Sequence, residues 1–136
     1  MAREASNSAV LAAVGDLALH GLYDRHAEEG RADSALADAS RAFEGADVVF
    51  GNVECVLSDG GEPRPDKLCL RGSPVYAGAL RTAGFDVVST ANNHSFDFGP
   101  EGFERMGQAL RLAGIDPVGA GKNLAGALQP VKLTRN

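Results

Sequence analysis

Polar side chains follow three separate apolar runs of the sequence, and their types are those of metal ligands and proton donors. The runs are "AVLAAV" at 9–14, "DVVF" at 47–50 and "FDVVST" at 85–90. The residues that follow them are Asp16, then Asn52 and Glu54, then Asn92, Asn93 and His94. If the runs are parallel strands, their carboxyl ends meet at one edge of a sheet, where α/β proteins bind ligands. The sequence therefore predicts that these side chains lie together.

The chemistry open to such a group is that of a divalent metal. Carboxylate and amide oxygens with an imidazole nitrogen suit Mn, Mg, Fe or Zn, and a metal removes the cost of placing two carboxylates close together. Each residue also has a structural explanation: Asp16 caps a turn, Glu54 is a solvated loop acid, and the asparagines end strands. Three strand ends with the same character favour a site. Asp97 is assigned instead to capping or bracing the helix after it.

The elements that position these residues follow an alternating pattern of strands and helices. Short apolar runs at 9–14, 47–50 and 85–90 indicate strands buried on both faces, and "IDPV" at 115–118 a fourth strand. Helical patterns begin near Asp33 or Ser34 and end at Gly45, follow Ser73-Pro74 up to Gly84, and run from Pro100 to 113 before Gly114. This alternation predicts an α/β fold with a largely parallel sheet and crossover helices.

Two further segments carry weaker strand signals. The segment 55–72 contains Gly60-Gly61 and two prolines and is predicted to be a loop before an edge strand at 67–70. Near the end of the sequence, Val131 and Leu133 alternate after Pro130, which favours another strand.

Composition excludes several classes of function. The 136 residues carry a formal net charge of -5 without a run of like charge, and aromatic residues make up 6% of them, so nucleic acid is not an expected partner.

Cys55 and Cys69 have neither metal-ligand spacing nor disulfide-scaffold density and are predicted to be free thiols. Residues 1–8 are predicted to be a disordered tail before one domain at 9–136. We expect a soluble chain, because no apolar stretch is long enough for a signal peptide or a membrane span.

Two familiar catalytic patterns are absent from the sequence. "GIDPVGAGKN" at 114–123 is close to a phosphate-binding loop, but that motif needs glycine at the position of Asp116 and Ser or Thr at the position of Asn123. No serine lies in a GxSxG elbow, and neither cysteine has the flanking features of an activated thiol. Nucleophilic catalysis of these types is therefore not predicted.

Three blocks of sequence, taken together, resemble a known family. They are "VGDLALHG", "ADVVFGNVECVLS" and "GFDVVSTANNHSFDFGPEGFERMGQALRLAGIDPVGAGKN", and the third is the most specific. Over about residues 9–134 the chain resembles the N-terminal half of the CapA family of capsule or poly-gamma-glutamate synthesis proteins, in the calcineurin-like metallophosphoesterase superfamily. The resemblance implies an α/β/β/α sandwich, of which this chain supplies about the first half.

The resemblance also implies roles for individual residues. Asp16, Glu54 and Asn93 match metal ligands, with Asn52 a secondary candidate. His94 matches the residue proposed to protonate a leaving group or to hold the transferred phosphoryl oxygen. The implied cofactors are divalent metals (Mn, Fe or Zn), two in the intact domain. The implied substrate is a small molecule or polymer with a phosphate ester or amide linkage, acted on by a hydrolase or transferase. Family members are often found at the cell surface or membrane.

The sequence also departs from the superfamily pattern. The usual Asp-x-His is absent because Ala18 stands two residues after Asp16, and the nearest histidine is His20. The chain has three histidines and lacks the later Gly-His and His-x-His ligands, so the implied bimetal centre is incomplete within it. A non-catalytic accessory or scaffold subunit of polymer synthesis or export is therefore the rival hypothesis. The expected partners are a second copy of the chain, a missing C-terminal half, and a membrane-associated synthesis complex.

Overall fold

A computed structural model describes residues 8–135. Residues 1–7 of the predicted disordered tail, and residue 136, lie outside the described residues. Four strands form one sheet in the order β1-β2-β5-β6, and two short strands, β3 and β4, form a separate pair. The strands are β1 (Leu11–Leu17), β2 (Val48–Val53), β3 (Val56–Leu57), β4 (Arg71–Gly72), β5 (Val87–Ser89) and β6 (Asp116–Val118).

All pairings in both sheets are parallel, and helices connect the strands of the larger one. The helices are α1 (Leu22–Glu28), α2 (Ala32–Ala35), α3 (Ala37–Ala42), α4 (Tyr76–Thr82), α5 (Gly99–Leu112) and α6 (Leu124–Ala127). The predicted α/β fold with a largely parallel sheet is therefore confirmed. No helix among the described residues is long and apolar enough to cross a membrane.

The helices cover one face of the larger sheet. Alternate residues of the central strands, Val49, Val53 and Val88, are at most 4% exposed and belong to the core. Leu80 of α4 and Leu110 of α5 are fully buried in that core. The predicted helix from Pro100 is confirmed within one residue: Pro100 lies in its first turn, and Gly114 follows it with a φ of +81°.

The opposite face of the sheet is only partly covered. We refer to it as the open face, and its apolar lining residues are Leu11, Val48, Phe50, Val87 and Val118, together with Val131 and Leu133. Leu11 is 63% exposed. The prediction that the runs at 9–14, 47–50 and 85–90 are buried on both faces is wrong. β1 is an edge strand, and exposed and half-buried residues alternate along much of it. In the other two runs Val48, Phe50 and Val87 are half-buried and line the open face.

Three local predictions need correction. The helix predicted from Asp33 or Ser34 to Gly45 is two short helices that meet at Leu36, and neither has a side-chain cap. The edge strand predicted at 67–70 is irregular chain, and pairing begins only at β4. The segment with Val131 and Leu133 is not a strand. It lies on the open face, and Arg135 beyond it forms an ion pair with Asp86 at 2.7 Å.

Candidate functional site

The carboxyl ends of β1, β2 and β5 carry a connected group of polar side chains. Asn52 Nδ2 donates to Asp16 Oδ1 at 2.7 Å, and Asn92 Nδ2 donates to Asn52 Oδ1 at 3.1 Å and to the Val53 carbonyl at 2.9 Å. An irregularity in the pairing of β1 with β2, between Ala13 and Asp16, sets Asp16 opposite Asn52. Such a bulge re-aims side chains at the end of a strand. The structure thus brings one carboxylate and two amides together.

These residues lie on the side of the sheet that the helices leave uncovered. In β2 the residues Val49, Gly51 and Val53 are buried, whereas Phe50 and Asn52 alternate with them on the other face. Phe50 lines the open face, so Asn52 belongs to that face as well. The Asp16–Asn52 pair is therefore at the carboxyl edge of the open face.

Two of the sequence-predicted ligands take no part in this network. Glu54 follows β2 directly, is half-buried, and its side chain makes no hydrogen bond or ion pair with any residue from 8 to 135. Asn93 is exposed, and its carbonyl oxygen accepts a hydrogen bond from Lys67 Nζ at 2.6 Å. Asp16 and Asn52 bond to each other directly, and the amide that extends their network belongs to Asn92, which the sequence assigned to strand termination.

His94 is held by a tight turn spanning residues 92–98. Its backbone N–H donates to Asn92 Oδ1 at 3.0 Å, and its Nδ1 lies 2.7 Å from Asp97 Oδ2. Ser95 fastens the turn to β5, because its hydroxyl donates to the Thr90 carbonyl at 2.5 Å. The His94 side chain is 13% exposed, and Nε2 is its ring nitrogen without a partner among the described residues. With Asp97 ionised, Nδ1 carries the proton of that pair.

Asp97 is fully buried and binds Lys67, His94 and the Leu70 N–H. Lys67 Nζ forms an ion pair with its Oδ1 at 2.6 Å, and the Leu70 N–H donates to its Oδ2 at 2.7 Å. Burial raises the pKa of Asp97, but the combined effect of Lys67, His94 and the Leu70 N–H is larger and lowers that pKa below its ordinary value. Of the two roles predicted for Asp97, capping the next helix is wrong, because α5 begins without a side-chain cap. Asp97 instead binds Lys67 and His94, in the turn directly before that helix.

Lys67 is the site residue that sequence reasoning missed, whereas Asn92 was placed among the strand-end residues but assigned to strand termination and not to the ligand set. Lys67 comes from the irregular loop after Pro65, more than twenty residues before His94, and no local pattern connects the two. The sequence shows Asp97 three residues after His94, but their side chains come within hydrogen-bond distance only if the chain forms a turn there. His20, the histidine nearest to Asp16 in the sequence, makes no side-chain hydrogen bond within the described part of the chain.

The described residues fit a divalent metal in part. Asp16, Asn52 and Glu54 supply oxygen donors at one sheet edge, which is suitable chemistry for Mn, Fe or Zn. Within residues 8–135, however, no group of three or more His, Cys, Asp or Glu side chains is placed to hold a metal ion. A closed coordination shell would therefore need donors besides these.

Comparison with known proteins identifies the family. The family model described as "Bacterial capsule synthesis protein PGA_cap" matches residues 10–136. The chain belongs to this family. PGA_cap relatives include the PGA biosynthesis protein CapA of Bacillus subtilis, which is 28% identical over 120 residues, covering 87% of this chain and 32% of the relative.

Other relatives show the same partial overlap. The capsule biosynthesis protein CapA of Bacillus anthracis is 34% identical over 95 residues, covering 67% of this chain and 23% of the relative. A probable polyglutamine synthesis accessory protein of Mycobacterium tuberculosis is 37% identical over 89 residues, covering 65% of this chain and 23% of the relative. The chain thus spans about a quarter to a third of the length of these PGA_cap relatives.

Proposed function

We propose that the chain carries part of a metal-dependent, phosphoesterase-like hydrolase or transferase site that acts in capsule or poly-gamma-glutamate biosynthesis. The observation that carries the proposal is the convergence of the Asp16–Asn52–Asn92 network and the His94–Asp97 pair at one sheet edge, with Asn92 bonded to both. Membership of the PGA_cap family supplies the biological setting.

In this proposal the ligand residues are Asp16, Glu54, Asn93 and Asn52. Asp16 and Glu54 provide negative charge, and the asparagines provide neutral oxygens. A bound divalent metal supplies Lewis-acid polarisation of a phosphoryl oxygen and a lowered pKa for a coordinated water. Asn93 would bind the metal through its side-chain oxygen, because its backbone carbonyl oxygen accepts a hydrogen bond from Lys67.

His94 acts as the proton donor to the leaving group. Asp97 accepts from Nδ1, which fixes the ring and leaves Nε2 to hold the proton that is transferred. Lys67 balances the buried charge of Asp97, so the carboxylate stays ionised and does not take the proton itself. The substrate is a small molecule or polymer with a phosphate ester or amide linkage.

The open face indicates what completes the site. Asn52 belongs to a sheet face whose apolar residues are only partly covered by the chain described. In the implied sandwich a second sheet lies against this face, so further ligands would come from that layer. We propose that this layer is a C-terminal half or a second copy of the chain, working within a membrane-associated synthesis complex.

A second function, a non-catalytic accessory or scaffold subunit, is favoured by a different observation. Asp16 is already hydrogen-bonded to Asn52, and the described residues contain no group of three metal-binding acids, histidines or cysteines. The network then only fastens three strand ends. The word "accessory" in the name of the Mycobacterium tuberculosis relative describes that protein, and it agrees with this alternative.

Metal analysis combined with mutation separates the two functions. The enzyme proposal predicts stoichiometric Mn, Fe or Zn in the purified chain, and loss of both metal and phosphoesterase activity in Glu54→Ala and Asn93→Ala variants. Glu44→Ala is the matched control, because Glu44 lies beside Asp47 and Asp86 at the opposite end of the sheet. A metal-free chain whose activity is the same in all three variants would eliminate the enzyme proposal for this chain.

A further inference from the structure

A groove lies between α5 and the segment that follows β6, and it contains none of the proposed metal ligands. Its volume is about 680 Å³, and its lining includes Phe96, Phe103, Met106, Arg111, Pro117 and Lys122. Thr90 also lines it, and Thr90 and Phe96 lie on either side of the Asn92–His94 turn in the sequence. The groove is therefore next to the candidate site but separate from it.

One part of the groove is aromatic. The rings of Phe96 and Phe103 are stacked, with centroids 4.6 Å apart and planes 27° from parallel. Phe96 is 42% exposed, and Phe103 is half-buried. A ring already stacked on one face and open on the other favours a planar partner, since offset stacking adds to the area buried.

The rim of the groove carries an excess of positive charge. Lys122 Nζ contacts Glu104 Oε1 at 2.8 Å, and this exposed ion pair spans the groove from the loop to α5. Arg111, two turns further along α5, has no ion pair or hydrogen bond from its guanidinium to any described residue. Lys122 and Arg111 both act electrostatically on the Glu104 carboxylate, so the rim carries one positive charge in excess.

The glycine-rich stretch "GAGKN" at 119–123 shapes the wall that holds Lys122. A Cβ at Gly121 would lie 2.8 Å from the backbone of Gly126 and of Ala127, so this glycine permits a close approach to α6. Asn123 Oδ1 accepts from the Gly126 N–H at 2.9 Å and closes the same turn. This motif, which fails as a phosphate loop, therefore builds one side of the groove.

We infer that the groove binds a ligand with a planar aromatic body and a single carboxylate, the ring against Phe96 and the carboxylate on Arg111. The planar guanidinium matches a carboxylate in geometry, and one free positive charge matches one negative charge. This inference does not depend on the metal site or on any phosphoesterase activity.

The test is an NMR titration of the ¹⁵N-labelled chain with 1-naphthoate. The expected result is a Kd of about 1 mM or below, typical of a ligand of this size, with shifts confined to the amides around Phe96, Gly121 and Gly126. 2-Naphthol, which lacks the carboxylate, and acetate, which lacks the ring, should each bind roughly tenfold more weakly.

Variants on α5 locate the binding. Arg111→Gln should weaken 1-naphthoate binding roughly tenfold. Arg105→Gln is the matched control, because Arg105 is on the same helix but is paired with Glu101 and Asp59 and does not line the groove. Equal affinity in both variants, equal affinity for 2-naphthol, or shifts centred on Val87 and Val118 of the open face would each overturn the inference.

Discussion

Asp97 shows how one buried residue connects the chemistry of the site to its stability. It is the shared partner of Lys67, His94 and the Leu70 N–H, and it is fully buried. Removing one partner of a buried ion pair leaves the other charge uncompensated, which costs more than the pair itself contributes. The same residue therefore positions His94 and holds the loop at 62–70 against the turn.

We expect Asp97→Asn to lower the free energy of unfolding by about 2–4 kcal/mol at pH 7, because it leaves Lys67 without a counter-charge. Because the pKa of Asp97 is lower in the folded chain than its unfolded value of 3.8, ionised Asp97 stabilises the fold fully above pH 3.8. This stabilisation is lost as the pH falls through the pKa of the folded state. Urea denaturation at pH 7 and below pH 4 measures both effects. A variant as stable as the parent at pH 7 would contradict this role.

Cys55 gives a second prediction about a single residue. Burial raises the pKa of its thiol from 9.0 to about 11, and the side chain is 1% exposed. Because the thiolate is the reactive form, Cys55 should resist alkylation by iodoacetamide at pH 8 in the folded chain and react after unfolding in urea. Mass spectrometry of the peptide reads this out, and rapid labelling of the native protein would contradict it.

The short parallel pair β3–β4 depends on backbone contacts that admit no side chain. Gly72 in β4 faces the Leu19 carbonyl oxygen, and a Cβ built on Gly72 would lie 2.2 Å from that oxygen. Backbone atoms cannot move aside as the end of a flexible side chain can. This pair closes the loop that delivers Lys67 to Asp97, so its packing supports the site indirectly.

Two glycine-to-alanine variants test this close approach. Gly72→Ala should destabilise the chain by about 2 kcal/mol or more, as overpacking against backbone does. Gly78→Ala should stabilise it by about 0.5–1 kcal/mol, because Gly78 is an exposed position within α4 with nothing near its Cβ site. Thermal denaturation of both variants measures the difference, and a shift of the same sign in both would be inconsistent with it.

At the scale of the whole molecule, the open face is an apolar surface that the described chain covers only in part. Val131 and Leu133 cover part of it, and Arg135 fastens their segment with an ion pair to Asp86 and a hydrogen bond to the Asp47 carbonyl at 2.8 Å. Burial raises the pKa of Asp86, but Arg81, the Val49 N–H and Arg135 together lower it below its ordinary value. The segment therefore shields apolar residues that would otherwise meet water.

Arg135→Ala should loosen this segment and expose more of the open face. We expect a concentration-dependent rise in sedimentation coefficient, because exposed apolar patches promote association. Arg41→Ala is the control, since Arg41 pairs with Asp38 on the exposed surface of α3. A strict monomer at high concentration in both variants would count against self-association through this face.

Particular residues show what the sequence could and could not predict. Apolar runs and glycine stops located the main strands and the helix at Gly99–Leu112, because these signals are local. Parallel pairing then placed Asp16 beside Asn52. The choice between Asn92 and Asn93, and the approach of Lys67 to Asp97, depend on a turn and a loop whose contacts are tertiary, so local pattern could not show them.

The order of strands in the larger sheet has a consequence for how the chain folds. Along the sheet the order β1-β2-β5-β6 is also the order of synthesis, so each new strand joins the edge left by the one before it. Each pair of neighbouring strands is linked by a crossover connection. The contacts between strands are therefore long-range in sequence, and we expect folding to be slow. The sheet can nevertheless assemble from the N-terminus as the chain leaves the ribosome, because both strands that carry the Asp16–Asn52 pair are synthesised before the turn that carries His94.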